Sequence, residues 1–337
     1  MDTRREFLKS AGAAASITAL ADQVLAQTAS GSATGLPTRA LGKTGQQVSI
    51  LALGGWHIGS VKDEAESIRI MHAAVDEGLT FFDNAWDYHN GLSEERMGKA
   101  LSSDGRRKKV FLMTKNCERD YQGSMKNLED SLRRMQTDHI DLWQFHEMVY
   151  DNDPDWVFEK GGIKAALEAK KAGKVRFIGF TGHKDPRIHL KMLGKPHPWD
   201  SAQMPINVMD AHYQSFQKGV LPVCLKKGVG VIGMKGLAGG TGRLIEKLGL
   251  TAEECYRFCL SLPVTSQVVG ITTMEQLKQD VALARGFKPM SDSEKNALLS
   301  RVKDEATDGR HELFKSTKVF DGPHHRKQHG FDEQVSG

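Results

Sequence analysis

Four polar residues in the first half of the chain have types and spacings that suit proton transfer to a carbonyl group. Asp83, Lys115 and His146 each follow a short apolar run, at intervals of 32 residues (115 − 83) and 31 residues (146 − 115). Tyr88 comes five residues after Asp83. A free tyrosine has a pKa near ~10 and is a weak acid at neutral pH. We expect the lysine ammonium to lower that pKa, the carboxylate to keep the lysine protonated, and the histidine to hydrogen-bond the carbonyl oxygen.

Each of these residues also has a plain structural interpretation. A lysine after a buried strand often pairs with an acid for stability, and a histidine beside Trp143 and Phe145 is commonly a core residue. The regular spacing of Asp83, Lys115 and His146 favours a functional role, because an interval of 31 or 32 residues is the length of one strand–helix unit.

Eight such units run along the chain and must position these side chains. Short apolar runs of buried-strand character occur at residues 49–53, 79–82, 110–114, 140–145, 175–180, 202–206, 229–234 and 267–271. Amphipathic helical patterns cover residues 63–76, 93–101, 122–135, 156–172, 186–193, 213–227, 251–262 and 274–285. Eight units in about 240 residues predict a closed (β/α)8 TIM barrel with its active-site groups on one rim. A doubly wound open sheet is the alternative, but no GxGxxG motif follows any of the apolar runs.

Further segments are predicted at both ends of the barrel. Residues 38–41 and 47–49 form a two-strand ribbon around a glycine turn at 42–45. The barrel domain then covers residues 38–290, and a helix at 294–306 and a polar tail make up residues 291–337. Within the second unit, Ser93 is expected to be the N-cap of its helix.

The first residues of the chain predict export rather than a part of the fold. Residues 3–9, Thr-Arg-Arg-Glu-Phe-Leu-Lys, match the twin-arginine pattern, an alanine-rich stretch follows at 11–25, and Val24-Leu25-Ala26 suits cleavage. The prediction is a signal peptide at 1–26 and a linker at 27–37, with the twin-arginine translocation machinery as partner and a periplasmic or otherwise exported product. The apolar stretch is too short for stable membrane insertion. The alternative is an N-terminal tail that happens to contain two arginines.

Composition sets bounds on the partners. The 337 residues are 39% hydrophobic and 26% charged, and the net charge of +4 gives no reason to expect nucleic acid or a membrane surface as partner. The four cysteines, Cys117, Cys224, Cys255 and Cys259, show neither CxxC nor zinc-ligand spacing. Cys255 and Cys259 lie four residues apart on a predicted helix, where a disulfide would strain the helix, so these two are expected to be buried thiols. The tail sequence at 322–329, Gly-Pro-His-His-Arg-Lys-Gln-His, could cover the site or bind metal, but no metal is predicted.

Several motifs together resemble those of the aldo-keto reductases over nearly all of residues 38–286. They are Leu-Gly-Lys-Thr-Gly at 41–45, Asp-Asn-Ala-Trp-Asp-Tyr at 83–88 with Gly91 and Ser-Glu-Glu at 93–95, Thr-Lys at 114–115 and Ile-Asp-Leu-Trp-Gln-Phe-His at 140–146. The resemblance implies a barrel whose N-terminal ribbon closes the bottom. It also implies reversible hydride transfer between a nicotinamide cofactor and a carbonyl or alcohol, with Tyr88 as general acid/base beside Lys115, Asp83 and His146.

The resemblance carries over less completely on the cofactor side. The family's Ser-Asn pair after the fifth strand appears as Thr181-Gly182, and its stacking aromatic after the seventh strand appears as Met234. Neither arginine that would hold an adenosine 2′-phosphate is present, so the choice between NADP and NAD is open, and tight binding is possible. The residues expected to contact the cofactor are Gly55, Trp56, Thr181, Gln203, Met234, Lys235, Leu237, Gly270, Thr272, Gln276 and Asp280.

The substrate pocket is predicted from the residues that follow the first, second and fifth strands, namely Trp56, Trp86 and His183. Apolar rings with polar tips suit a sugar or polyol, or an aromatic aldehyde, although the tryptophans could equally be core residues. The predicted substrate class is an aldehyde, a ketone or a sugar. Two alternatives to a reductase remain at this point. One is a nicotinamide-binding barrel that acts as a sensor or subunit without turnover, and the other is a non-redox sugar enzyme with tightly bound NAD. Twin-arginine export carries folded proteins, so the cofactor could be loaded before export.

Overall fold

The computed structural model describes residues 35–239 and 243–332, together with residues 19, 20, 22–25 and 28 of the leading segment. The twin-arginine motif and most of the predicted signal peptide and linker lie outside the described residues.

Ten strands form a short ribbon and a closed barrel. The ribbon pairs β1 (Thr38–Ala40) with β2 (Gln47–Ser49) in antiparallel fashion. The eight parallel strands of the barrel are β3 (Leu51–Gly54), β4 (Phe81–Asp83), β5 (Phe111–Asn116), β6 (Ile140–Phe145), β7 (Val175–Thr181), β8 (Ser201–Pro205), β9 (Gly230–Met234) and β10 (Ser266–Val269). Each strand pairs with its neighbour in sequence, and β10 pairs with β3 to close the cylinder. The predicted (β/α)8 barrel is confirmed.

The ribbon closes the amino-terminal end of the barrel. Leu41 and Val48 are fully buried in one apolar cluster with Ala52, Phe81 and other side chains of the barrel interior. Gly42 has a φ of +51°, and a Cβ at this position would overlap the backbone of Gly230, the first residue of β9. The ribbon therefore packs too tightly on the barrel for a larger residue at its turn.

Helices surround the barrel and also extend into its C-terminal tail. They are α1 (Gly55–Ser60), α2 (Glu64–Asp76), α3 (Leu92–Leu101), α4 (Tyr121–Arg134), α5 (Asp153–Glu159), α6 (Gly162–Lys171), α7 (Pro186–Leu193), α8 (Phe216–Gly219), α9 (Leu221–Lys227), α10 (Arg243–Lys247), α11 (Ala252–Leu260), α12 (Met274–Arg285), α13 (Asp292–Ala306), α14 (Leu313–Ser316) and α15 (Pro323–Gln328). Short 3-10 turns occur at Tyr88–Gly91 and Arg106–Lys109. Within the described residues no helix is long and apolar enough to cross a membrane.

Three local predictions need correction. The single helix expected at 156–172 is split into α5 and α6, because Gly161 between them has a φ of +90°. The helix expected at 213–227 is likewise split into α8 and α9, with Pro222 in the first turn of α9. Ser93 is not an N-cap, since α3 begins at Leu92 after the left-handed Gly91.

Cys255 and Cys259 are confirmed as buried thiols, Cys117 and Cys224 are also buried, and none of the four forms a disulfide.

Candidate active site

The three ionisable residues predicted at strand ends do converge on one rim of the barrel. Asp83 is the last residue of β4, Lys115 lies near the end of β5, and His146 directly follows β6. These strands are neighbours in the barrel, so their carboxyl ends lie side by side. Exposed surface is 3% for Asp83, 1% for Lys115 and 5% for His146. A charged lysine and a carboxylate this deeply buried require each other's charge.

Lys115 connects the acid to the tyrosine. Its Nζ atom donates to Asp83 Oδ1 at 2.5 Å, to the carbonyl oxygen of Asn84 at 2.6 Å and to the hydroxyl oxygen of Tyr88 at 3.3 Å. The ring of His146 lies 5.6 Å from that of Tyr88, measured between centroids, in an edge-to-face arrangement. The predicted Tyr–Lys–Asp–His group is therefore assembled around one point above the barrel.

A strained turn holds Tyr88 in this position. His89 and Asn90 have positive φ values of 52° and 55°, and Gly91 follows with a φ of +91°. The guanidinium of Arg134 fills the space where a Cβ on Gly91 would lie. Such backbone strain is common where a turn must direct one side chain at a site.

The pKa of Tyr88 is shifted in the direction opposite to our expectation. Burial of the phenol raises its pKa well above the ordinary value, and the carboxylates of Asp83 and Asp87 raise it further. Asp83 also offsets part of the charge of Lys115, so the ammonium does not bring the pKa of Tyr88 below its ordinary value as the sequence suggested. Tyr88 therefore keeps its proton at neutral pH, which suits proton donation to a carbonyl more than proton removal from an alcohol.

A buried side-chain amide next to the Tyr–Lys–Asp–His group could hydrogen-bond a nicotinamide. Gln203 on β8 is 1% exposed, and its side chain lies within hydrogen-bonding range of Asp83. Its Oε1 atom has no hydrogen-bond partner among the described residues. A carboxamide NH2 group would satisfy that oxygen. Thr181, at the end of neighbouring β7, is also buried. The residues present therefore fit the carboxamide end of the cofactor.

Among the cofactor residues predicted at and after the seventh strand, Lys235 lies beside the C-terminal tail. Met234 and Leu237 are partly buried, as is Lys235, which has a φ of +55°. The ammonium of Lys235 lies 5.1 Å from the ring centroid of Phe314 and 5.2 Å from that of Phe320. Burial lowers the pKa of Lys235 to about 8. A phosphate would have to reach this lysine beneath the tail.

The remaining cofactor positions are arranged around β10 and the start of α12. Gly270 packs on His57, whose ring would lie 2.6 Å from an added Cβ. Gln276 Oε1 accepts hydrogen bonds from the backbone N–H and the hydroxyl of Thr272, at 2.8 and 2.9 Å. Asp280 is 9% exposed, and burial raises its pKa to about 7. These uncharged or acidic groups offer little attraction to a 2′-phosphate.

The residues expected around the substrate are only partly brought together. Trp56 is 52% exposed, stands edge-on to Tyr88 at 5.4 Å and stacks on His89 at 4.5 Å. Gly55 beside it is buried against Asn84. Trp86 is directed away from this point, since its indole N–H donates to Asp130 on α4 at 3.3 Å.

His183 is covered by the tail. It is 3% exposed, and its Nε2 atom lies 3.9 Å from a carboxylate oxygen of Asp321. Its ring stands edge-on to that of Phe314 at 6.0 Å, measured between centroids. Burial lowers the pKa of His183 to about 3, so the ring is neutral.

The sequence left open whether the tail covers the site or binds metal. In the structure the tail covers the site. The backbone N–H of Gly322 donates to Glu147 at 2.8 Å, and His325 is fully buried with its ring 5.5 Å from that of His146. Gln328 donates to the carbonyl oxygen of Cys117 at 3.1 Å. The signal in the sequence was the histidine-rich motif at 322–329, but its partners were not visible there.

Comparison with known proteins agrees with this geometry. The chain belongs to the aldo/keto reductase family, which it matches over residues 50–249. It is 30% identical over 305 residues to the uncharacterized oxidoreductase YrpG of Bacillus subtilis, covering 72% of this chain and 89% of YrpG. Identity to the L-galactose dehydrogenase of Arabidopsis thaliana is 27% over 318 residues, covering 80% of this chain and 96% of that protein. The structure of aldo-keto reductase AKR11C1 from Bacillus halodurans (holo form) superposes with a TM-score of 0.68 at 25% identity, over 82% of this chain and 99% of that one.

Proposed function

We propose that the protein is a nicotinamide-dependent oxidoreductase that transfers a hydride between NAD or NADP and a carbonyl or alcohol substrate. The observation that carries this proposal is the contact of Lys115 with both Tyr88 and Asp83 at the rim of a barrel of this family. Purified protein should reduce aldehydes or ketones with NADH or NADPH. Absence of turnover on aldehydes, ketones and sugars with either cofactor would overturn the proposal.

In the reductive direction the chain's own residues handle the proton. Tyr88 donates its phenolic proton to the substrate oxygen, and Lys115 stabilises the phenolate that forms. Asp83 forms an ion pair with the ammonium of Lys115, and His146 orients the carbonyl oxygen by a hydrogen bond. Gln203 would hold the carboxamide of a bound nicotinamide, which would supply the hydride to the carbonyl carbon.

The substrate is proposed to be a sugar or polyol rather than an aromatic aldehyde. Glu147, His183 and Lys235 add polar groups to the covered side of the site, and one relative is named for L-galactose. We expect kcat/KM for aldoses such as L-galactose to exceed that for benzaldehyde by at least about tenfold. The reverse order would overturn the substrate proposal and leave the hydride-transfer proposal intact.

NAD is the proposed cofactor, because Thr272 and Gln276 hydrogen-bond each other where cations would hold a 2′-phosphate. The nucleotide released on denaturing freshly purified protein tests this choice. Release of NADP alone would overturn it.

We also propose export by the twin-arginine route, on the basis of Arg4-Arg5 and the alanine-rich stretch that follows. Expression of the full chain and of a variant with Arg4→Lys and Arg5→Lys tests this proposal. The wild-type chain should be found outside the cytoplasm and the variant should not; retention of both inside would overturn it.

A second candidate function is nicotinamide binding without turnover. The covering of the site by the tail favours it, since His325 lies directly against the ring of His146. Firmly bound nucleotide that is not oxidised or reduced by any substrate would support this function over catalysis.

A further inference from the structure

A second group of polar side chains converges beside the proposed catalytic residues, and its composition is that of a zinc site. Asp87 follows β4, Cys117 follows β5 and His146 follows β6, while His325 comes from α15 in the tail. Each offers one ligand atom, and the four atoms all lie within 4.8 Å of one another. We propose that Asp87, Cys117, His146 and His325 bind a zinc ion.

The distances are close to those of a tetrahedral site. Zinc bonds of about 2.0 to 2.3 Å place neighbouring ligand atoms about 3.3 to 3.8 Å apart. Cys117 Sγ lies 3.5 Å from His146 Nδ1, and Asp87 Oδ1 lies 3.1 Å from the same nitrogen. The remaining separations are at most 4.8 Å and need to shorten by about 1.5 Å at most to reach the ligand–ligand spacing of a tetrahedral site.

Two of the proposed ligands each have a buried atom that makes no hydrogen bond of ordinary geometry, although His146 lies 3.1 Å from one and Glu147 lies 3.7 Å from the other. Asp87 Oδ1 is a buried atom with no hydrogen bond of ordinary geometry, despite its proximity to His146. His325 is 0% exposed, and its Nε2 atom also has no hydrogen-bond partner. Buried polar atoms are almost always hydrogen-bonded in proteins, so two such atoms within one cluster of four metal-ligating side chains favour a bound ligand there. A cation is the partner that a carboxylate oxygen and an imidazole nitrogen share.

The charge and the donor types also suit zinc. A carboxylate and a thiolate balance the two charges of the ion, and a mixed set of sulfur, nitrogen and oxygen is typical of zinc. Arg119 Nη2 lies 3.4 Å from His325 Nδ1. Zinc bound through Nε2 places the ring proton on Nδ1, so this long contact has to be released when zinc binds. The charge of Arg119 is offset by Asp153, whose Oδ1 lies 3.0 Å from Arg119 Nε.

Zinc would also define the role of His146 in the proposed reaction, and this part rests on the proposed function. A neutral imidazole that binds metal through Nδ1 carries its proton on Nε2. That tautomer can donate a hydrogen bond to a carbonyl oxygen. Zinc would thereby act as a positioning element for His146 and would join the tail to the barrel through His325.

The test is the affinity of the full-length protein for zinc, measured by competition with a chromophoric chelator, with cobalt as a spectroscopic probe. We expect one zinc per chain and a thiolate-to-cobalt absorption band that Cys117→Ser abolishes. His325→Gln should weaken the affinity for zinc at least about tenfold, since even the loss of an outer-shell partner costs about 10- to 100-fold in metal affinity. His324→Gln is the matched control, because this neighbouring histidine pairs instead with Glu118 at 2.9 Å.

Circular dichroism of each metal-free variant separates loss of binding from loss of fold. If His325→Gln does not fold, Cys117→Ser and the cobalt band decide the question. Failure of the wild-type chain to bind stoichiometric zinc, or equal weakening by His324→Gln, would overturn the proposal. Carbonyl reduction is not measured here, so this result is independent of the proposed function.

Discussion

Asp280 provides a prediction whose size can be worked out from the structure. Burial raises the pKa of this carboxyl from 3.8 to about 7, so folding favours its protonated form. The stabilising contribution of that proton is complete below the unfolded pKa and is lost as pH rises through the folded value. A shift of about 3 units corresponds to about 4 kcal/mol when the carboxyl is ionised. Near pH 5 the raised pKa of Asp280 already lowers the free energy of unfolding by about 1.6 kcal/mol relative to strongly acidic pH. A further loss of about 2 to 3 kcal/mol follows between about pH 5 and about pH 8.

Asp280→Asn removes this cost while keeping the shape of the side chain. Urea unfolding of both proteins should show the variant gaining stability over wild type by about 2 to 3 kcal/mol on going from about pH 5 to about pH 8. Glu275→Gln on the same helix is the control, because Glu275 is exposed and should show a change of less than about 0.5 kcal/mol. A pH-independent difference for Asp280→Asn would refute the reasoning that burial controls this carboxyl.

Three further predictions concern the site. Lys115→Met should reduce the free energy of unfolding by about 3 to 5 kcal/mol, because it leaves Asp83 buried without its partner. Addition of Asp83→Asn to the same chain should restore part of this lost stability in urea melts. Gly91→Ala should lower the melting temperature, because alanine would have to adopt a left-handed backbone conformation with its Cβ against the guanidinium of Arg134, at a cost of more than about 1 kcal/mol. An unchanged melting temperature would contradict this. Gln203→Leu should weaken nucleotide binding by about 2- to 12-fold in titration calorimetry, the value of one hydrogen bond, while carbonyl reduction at saturating cofactor survives.

The barrel could be predicted from the sequence because its strands are short local signals. Each of the eight apolar runs overlaps an observed strand, and the 32- and 31-residue intervals correctly brought Asp83, Lys115 and His146 to one rim. Repetition of a strand–helix unit is a property of the sequence that does not depend on distant contacts.

Helix ends were less predictable because backbone angles decided them. The split of the helix expected at 156–172 depends on the φ of +90° at Gly161. Ser93 has the residue type of an N-cap, but its hydroxyl instead donates to the carbonyl oxygen of Gly55 at 2.7 Å, a contact 38 residues away. Local propensity could not identify that partner.

The tail and the electrostatics of the site depended on long-range contacts. The contact between His325 and Arg119 spans 206 residues, so no local pattern could place His325 beside His146. The pKa of Tyr88 was expected to fall because a lysine was nearby, whereas burial and two carboxylates raise it. Burial of a phenol depends on residues from several strands of the folded barrel, which no local pattern specifies.

Replacement of Tyr88 by phenylalanine is the sharpest test of its role as proton donor. We expect kcat/KM for carbonyl reduction by Tyr88→Phe to fall by about 10² to 10⁴-fold, while nucleotide affinity stays within about twofold of wild type. Tyr121→Phe is the matched control, since its hydroxyl donates to Glu168 at 2.6 Å on the surface of the barrel and should not affect turnover. A Tyr88→Phe variant that keeps more than about a tenth of wild-type kcat/KM would show that Tyr88 is not the proton donor.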